Sequence, residues 1–159
     1  MRKDIRVFAV ELGLIFSMTF LKQVPFYIAM ILAPITLAVG WIAFPNVFTP
    51  MSFTWAGVLL MVVWQPFIEE LLFRGIIQGQ LIQRVWFSVS WWGISRSNVI
   101  VSLLFTAVHF LYHPPLWALA VFLPSLVFGW FRDRYRQIYP GMFLHAFYNG
   151  CFLFLMFSL

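Results

Sequence analysis

Charge is what this sequence has least of. Of its 159 residues only 9% are Asp, Glu, Lys or Arg, and Asp and Glu together number five. Soluble domains carry about a quarter charged residues, so a soluble globular protein is excluded. Cysteine is equally scarce. Cys151 stands alone, which rules out an intrachain disulfide and leaves the redox compartment unspecified. It lies in an apolar run and reads as a small buried hydrophobe rather than a catalytic thiol. Repeats, linkers and low-complexity stretches are also missing. What remains is 63% hydrophobic with a mean hydropathy of +0.92, the composition of an integral membrane protein. The net charge of +5 then reads as basic loops facing anionic membrane lipid rather than as a nucleic-acid surface.

Hydropathy divides the chain as follows. After a charged start (Arg2, Lys3, Asp4, Arg6), the apolar run Val7–Leu21 is interrupted by Glu11 and has no small-x-small cleavage site before Lys22. It reads as a retained interfacial or short re-entrant helix, too brief for a span. Pro25–Phe44 is a full span, Asn46–Pro50 a short loop, and Phe53 to about Gln83 a long helix. Val85–Ser97, with Trp86, Trp91, Trp92 and Arg96, reads as an interfacial aromatic segment. Asn98–Tyr112, Leu116–Phe131 and Ile138–Leu159 complete the spans, with a turn at His113-Pro114-Pro115 and the basic loop Arg132–Arg136 as a solvated topology determinant. The expectation is an all-α polytopic transmembrane bundle of about five full spans plus the short N-terminal helix. It forms a single domain over 1–159 with its polar motifs in 53–159. With the first run in the interface, every Lys and Arg except Arg74 falls at one end, which predicts a cytoplasmic basic side and an outside C-terminus.

Ionisable groups inside hydrocarbon are expensive and point to function. Three of them crowd Trp64-Gln65-Pro66-Phe67-Ile68-Glu69-Glu70-Leu71-Leu72-Phe73-Arg74. Glu70 and Arg74 are i and i+4 with the acid first, the favourable order for an ion pair. Glu69 lies about 100° round the helix, so it cannot share Arg74 equally. This suggests Glu70–Arg74 as a structural clamp and Glu69 as the group free for chemistry. Pro66 removes a backbone donor just before the pair and predicts a kink. His109 follows on a later span, and His145 and Asn149 share a face of the last one. At ~1.5 Å per residue, Glu69, His109 and His145 come to lie roughly 10–18 Å deep, where they can meet. A carboxylate with a histidine can activate water, and a second histidine with an amide can hold an oxyanion. Those are the parts needed to hydrolyse a peptide bond.

Taken in order, Glu69-Glu70-x-x-x-Arg74, Phe105-x-x-x-His109 and His145-x-x-x-Asn149 resemble the CAAX protease and bacteriocin-processing family of glutamate-dependent intramembrane endopeptidases. The likeness covers Glu69 to Asn149, and Pro124–Gly129 is similar to the small-residue stretch between that family's later motifs. The resemblance implies that Glu69 and His109 activate the attacking water, that His145 and Asn149 stabilise the tetrahedral oxyanion, and that Glu70 and Arg74 support the site. It implies neither cofactor nor metal. The partners it implies are membrane lipid and a protein or peptide substrate, such as a C-terminal sorting or lipidated tail. The run Trp117–Arg134 resembles the compact prokaryotic, sorting-associated members, which implies a prokaryotic cell membrane. The signatures H-E-x-x-H, G-x-G-D and G-x-S-G of other intramembrane proteases are missing.

Other readings stay open on the sequence. Any one histidine can be interhelical glue. The Glu69–Glu70–Arg74 group can be a structural network or an ion path. His109 and His113, or His109 and His145, can serve a zinc-dependent peptidase. A non-catalytic peptide-binding or immunity-like protein uses the same cavity without the chemistry.

Overall fold

A computed structural model of the chain describes residues 2–48 and 52–158. Residues 49 and 50 of the expected loop after the first span, Met51 beyond it, and Leu159 at the end of the last span lie outside the described residues. The helices are α1 (Arg2–Glu11), α2 (Val24–Ala43), α3 (Trp55–Leu81), a short α4 (Val85–Ser88), α5 (Arg96–His109), α6 (Pro115–Tyr135) and α7 (Tyr139–Ser158).

Local chemistry sets most of the boundaries. Thr54 caps α3 by accepting the Gly57 N–H at 3.2 Å, and Ser95 caps α5 by accepting the Asn98 N–H at 3.0 Å, each satisfying a donor the first turn would leave orphaned. Pro25 opens α2, Pro115 opens α6 and Pro140 lies in the first turn of α7, positions where a missing N–H costs nothing. α6 is interrupted at Val121. Pro124 cannot donate to the Ala120 carbonyl and its ring crowds that group. α6 ends at Arg136, which is left-handed with φ 55°.

Among the described residues four helices, α2, α3, α6 and α7, are long and apolar enough to cross a membrane, about four spans rather than five. The expected span Asn98–Tyr112 becomes α5, which has 14 residues and is about 21 Å long against a hydrocarbon core of about 30 Å. Its cap at Ser95 and the His113-Pro114-Pro115 turn bound it. One face of it, with Ser97, Asn98, Ser102 and Thr106, is buried against protein, while Val99, Leu103, Leu104 and Val108 are exposed on the other. Asn98 Nδ2 donates to the Leu126 carbonyl at 2.9 Å, tying α5 to α6. The interfacial aromatic segment contains α4 and a two-stranded antiparallel hairpin, Ser90–Trp91 with Ile94–Ser95. Its turn residues Trp92 and Gly93 both have positive φ, 51° and 79°, as a two-residue type I′ turn requires.

α3 runs unbroken through Pro66. The proline follows a stretch, Leu60–Trp64, where the backbone bonds widen to π spacing. A second wide stretch covers Leu71–Gln78. Glu69 and Glu70 lie on the narrow α turn between them. Such bulges concentrate at functional sites, because they re-aim side chains without ending the helix.

Two apolar clusters hold the bundle. One joins Phe20, Phe26 and Ala29 to Phe128, Phe131 and Leu144 of α6 and α7, and Tyr148 donates to the Ala29 carbonyl across it at 2.7 Å. The other joins Phe73 of α3 to Val101 and Phe105 of α5. Large apolar side chains elsewhere, such as Ile31, Leu59 and Phe154, are exposed, which suits a surface solvated by lipid.

The N-terminal run does not span. After α1 the chain passes Gly13, crosses the basic end of the bundle and makes a tight helical turn over Met18–Lys22. It is pinned there by α6, α7 and the junction between them. Arg132 Nη2 donates to the Glu11 carbonyl at 2.5 Å, the Ile138 N–H donates to the Gly13 carbonyl at 3.0 Å, and Tyr139 donates to the Leu14 carbonyl at 3.0 Å. The Gln137 carboxamide bonds both the N–H and the carbonyl of Ser17, at 2.9 and 3.0 Å. Gly79 makes room for this crossing, since a Cβ there would stand 2.7 Å from the Glu11 carbonyl. The Arg132–Arg136 segment is therefore not simply a solvated loop. Arg132 belongs to the last turn of α6 and is buried, and its Nε donates to the Arg74 carbonyl at 3.1 Å.

Candidate active site

Position along α3 and α6 builds the site. Glu70, Arg74 and Gln78 recur every four residues and are fully buried. They face Ser125, Gly129 and Asp133, spaced the same way on α6. Arg74 Nη2 donates to Ser125 Oγ at 2.7 Å and to the Ser125 carbonyl at 3.0 Å. Gln78 Nε2 donates to the Gly129 carbonyl at 2.9 Å and to Asp133 Oδ1 at 2.8 Å. The result is a polar seam between two apolar helices. Arg74 Nε lies 3.4 Å from Glu70 Oε2, and its guanidinium carbon lies 4.7 Å from the centre of the Phe105 ring, so the charge is held by a carboxylate, a hydroxyl, a carbonyl and an aromatic face.

His145 of α7 joins both acids. Its Nδ1 is 3.2 Å from Glu70 Oε1 and its Nε2 is 3.7 Å from Glu69 Oε2. The imidazole stacks on Phe128, with centroids 5.2 Å apart, and meets Phe105 edge-on at 5.9 Å, so its plane is fixed by packing on two sides. The two carboxylates differ in surroundings. Glu70 is completely enclosed, whereas the Glu69 side chain keeps 30% of its surface open. Gly141, one turn before His145, leaves the space Glu70 occupies. A Cβ there would stand 2.6 Å from Glu70 Oε2.

His109 is half-buried at the end of α5. Its Nδ1 lies 2.8 Å from the Phe105 carbonyl. A carbonyl only accepts, so the proton of the neutral ring sits on Nδ1 and the lone pair on Nε2. The ring packs on Phe105 at 4.4 Å, the same ring that His145 touches. Among the described residues His109 makes no ion pair with Glu69. His113 stacks on His109 at 5.6 Å and is exposed, and among the described residues no three His, Cys, Asp or Glu side chains gather as a metal site would need. Asn149 Nδ2 donates to the Met61 carbonyl of α3 at 2.8 Å, on the opposite side of His145 from the basic end.

The six residues picked out by the sequence therefore fall on three helices, α3, α5 and α7, around one place. Glu69, Glu70, Arg74 and His145 form one connected group. His109 adjoins it through Phe105, and Asn149 adjoins it one turn along α7. Sequence reasoning gave no role to Ser125, whose hydroxyl and carbonyl accept from Arg74, or to Gln78 and Phe128, and it placed Phe105 in a motif without a role. The signal was present: a serine, a glycine and an aspartate recur on α6 at the four-residue spacing of Glu70, Arg74 and Gln78 on α3.

The family described as type II CAAX prenyl endopeptidase Rce1-like matches residues 50–151 of the chain. No curated protein and no solved structure matches it.

Proposed function

The chain belongs to the type II CAAX prenyl endopeptidase Rce1-like family, and from that membership we propose that it is an intramembrane endopeptidase working through glutamate- and histidine-activated water. The family points to a protease with a membrane-associated protein or peptide as substrate. The observation that carries the finer reading is His145 set between two acids in unequal surroundings, 3.7 Å from Glu69 and 3.2 Å from Glu70.

In this reading the half-open Glu69 takes a proton from water. The water oxygen attacks the carbonyl carbon of the scissile bond, and the π electron pair moves onto the carbonyl oxygen. His145, protonated on both ring nitrogens with Nδ1–H directed at Glu70, donates through its Nε2–H, and Asn149 donates through its carboxamide N–H, so that both stabilise the oxyanion. His109 assists proton transfer with its unprotonated Nε2, and the proton ends on the leaving amine as the C–N bond breaks. Glu70, Arg74 and Ser125 hold His145 and never touch substrate. The bond cut lies near the C-terminus or anchor of the substrate. The basic end of the bundle faces the cytoplasm of a prokaryotic cell.

The test compares membranes from cells expressing the wild-type chain with membranes from cells expressing Glu69→Gln. Mass spectrometry of protein C-termini and small peptides is expected to find fragments made only by the wild type. Identical profiles at equal expression would refute the reading.

A further inference from the structure

Pro66 and Asn149 are far apart in sequence, yet one carbonyl connects them. In a regular α-helix the Met61 carbonyl accepts from residue 65, and in a π-helix from residue 66. The Gln65 N–H is spent on the Leu60 carbonyl, at π spacing. Residue 66 is proline and has no N–H to give. Both helical partners of the Met61 carbonyl are thus removed, one by the bulge and one by the imino acid. A buried carbonyl left unpaired is costly, the more so in hydrocarbon. Asn149 Nδ2 is the donor that reaches it, at 2.8 Å.

We infer that Pro66 is a positioning residue: by withholding its N–H it reserves the Met61 carbonyl for Asn149, and so fixes the carboxamide one helical turn from His145. The inference rests on the proposed role of Asn149 as an oxyanion donor. With one amide proton tied to Met61, the carboxamide cannot rotate, and its second N–H keeps a single direction. A donor aimed before the reaction begins is what oxyanion stabilisation requires. An alanine at position 66 would bring an N–H within reach of the Met61 or Val62 carbonyl. In the first case it takes Asn149's acceptor. In the second the helix returns to α spacing, and the Gln65 N–H takes it.

The experiment uses the full chain in detergent with three versions of residue 66: proline, Pro66→Ala, and the α-hydroxy analogue of alanine, whose ester oxygen replaces the N–H. There are three asparagines, Asn46, Asn98 and Asn149, so 15N-asparagine labelling resolves the Asn149 carboxamide, assigned by its loss in Asn149→Ala. Pro66→Ala is expected to move that signal and to lower kcat toward the Asn149→Ala level, a loss on the order of 10²–10³, with KM little changed. Adding Pro66→Ala to Asn149→Ala should lower kcat no further. The hydroxy analogue should retain the wild-type signal and rate. An unmoved signal in Pro66→Ala, or equal defects with alanine and its hydroxy analogue, overturns the inference while leaving the protease reading intact. A moved signal with full activity in Asn149→Ala shows instead that Asn149 takes no part in the chemistry, and overturns the positioning role with it. Should Pro66→Ala fail to fold, a 13C=18O label at Met61 gives the same answer. Its infrared band should rise in frequency in Asn149→Ala, and an unchanged band refutes the link.

Discussion

Replacing Arg74 by methionine removes the charge and keeps most of the volume. The loss is concentrated on Glu70, which is fully enclosed and has the Arg74 guanidinium at 3.4 Å and the His145 ring at 3.2 Å. Breaking one side of a buried pair costs about 3–5 kcal/mol, because the remaining charge stays desolvated. The Ser125 hydroxyl and carbonyl lose their donor as well, at 2.7 and 3.0 Å. For a chain of this size about 1 kcal/mol corresponds to roughly 2–4 °C in Tm, so Arg74→Met should melt roughly 10 °C below wild type. The double variant Glu70→Gln with Arg74→Met removes both charges and should recover a large part of that loss, since a buried pair adds little over neutral groups of like volume. The assay is a fluorescence melt in one detergent for all three proteins. An Arg74→Met protein that melts with the wild type, or a double variant less stable than the single, would refute the argument.

Other outcomes follow from the same geometry. Glu69→Gln should abolish cleavage in a peptide-release assay while its melting curve stays close to wild type, because the half-open Glu69 is not the enclosed partner of Arg74. Ser125→Ala should destabilise by about 1.5–3 kcal/mol, the usual worth of a hydrogen bond to a charged group, measurable in the same melts. Gly141→Ala should push the Glu70 carboxylate away from His145, since the new Cβ would stand 2.6 Å from Oε2; a fall in kcat of roughly tenfold or more corresponds to about 1.4 kcal/mol of lost stabilisation. Gly79→Ala, whose Cβ would stand 2.7 Å from the Glu11 carbonyl, should raise amide hydrogen exchange in residues 12–17 with little change in the core of α3.

Much of this could be read from the sequence because it follows from periodicity. The i, i+4 spacings put Glu70 with Arg74 and His145 with Asn149 on single faces, and the charge-free runs located α2 and α7 to within a residue or two. The count of spans did not follow. Apolar composition does not fix where a helix stops, and α5 is cut to 14 residues by a serine cap and a Pro-Pro turn. The burial of Arg132 was hidden for a related reason. Basic residues after an apolar run read as solvated, but α6 continues through Tyr135 and aims Arg132 at the backbone of α3. Pro66 predicted a lost hydrogen bond and a kink. The π stretch before it, and the asparagine from another helix that pairs with the Met61 carbonyl, involve a contact between residues 61 and 149 that no local pattern encodes.

The clasp across the basic end also sets an order of assembly. Residues 11–17 are held by Arg132, Gln137, Ile138 and Tyr139, which are made some 120 positions later in the chain. During synthesis the N-terminal strap must therefore wait, undocked, until the turn between α6 and α7 has left the ribosome. The same late segment carries the Arg132 that reaches the Arg74 carbonyl and leads directly into the helix bearing His145. Closure of the strap and completion of the acid–histidine cluster thus draw on one stretch of chain, and a nascent chain halted before it would hold its glutamates in the membrane without the histidine that joins them.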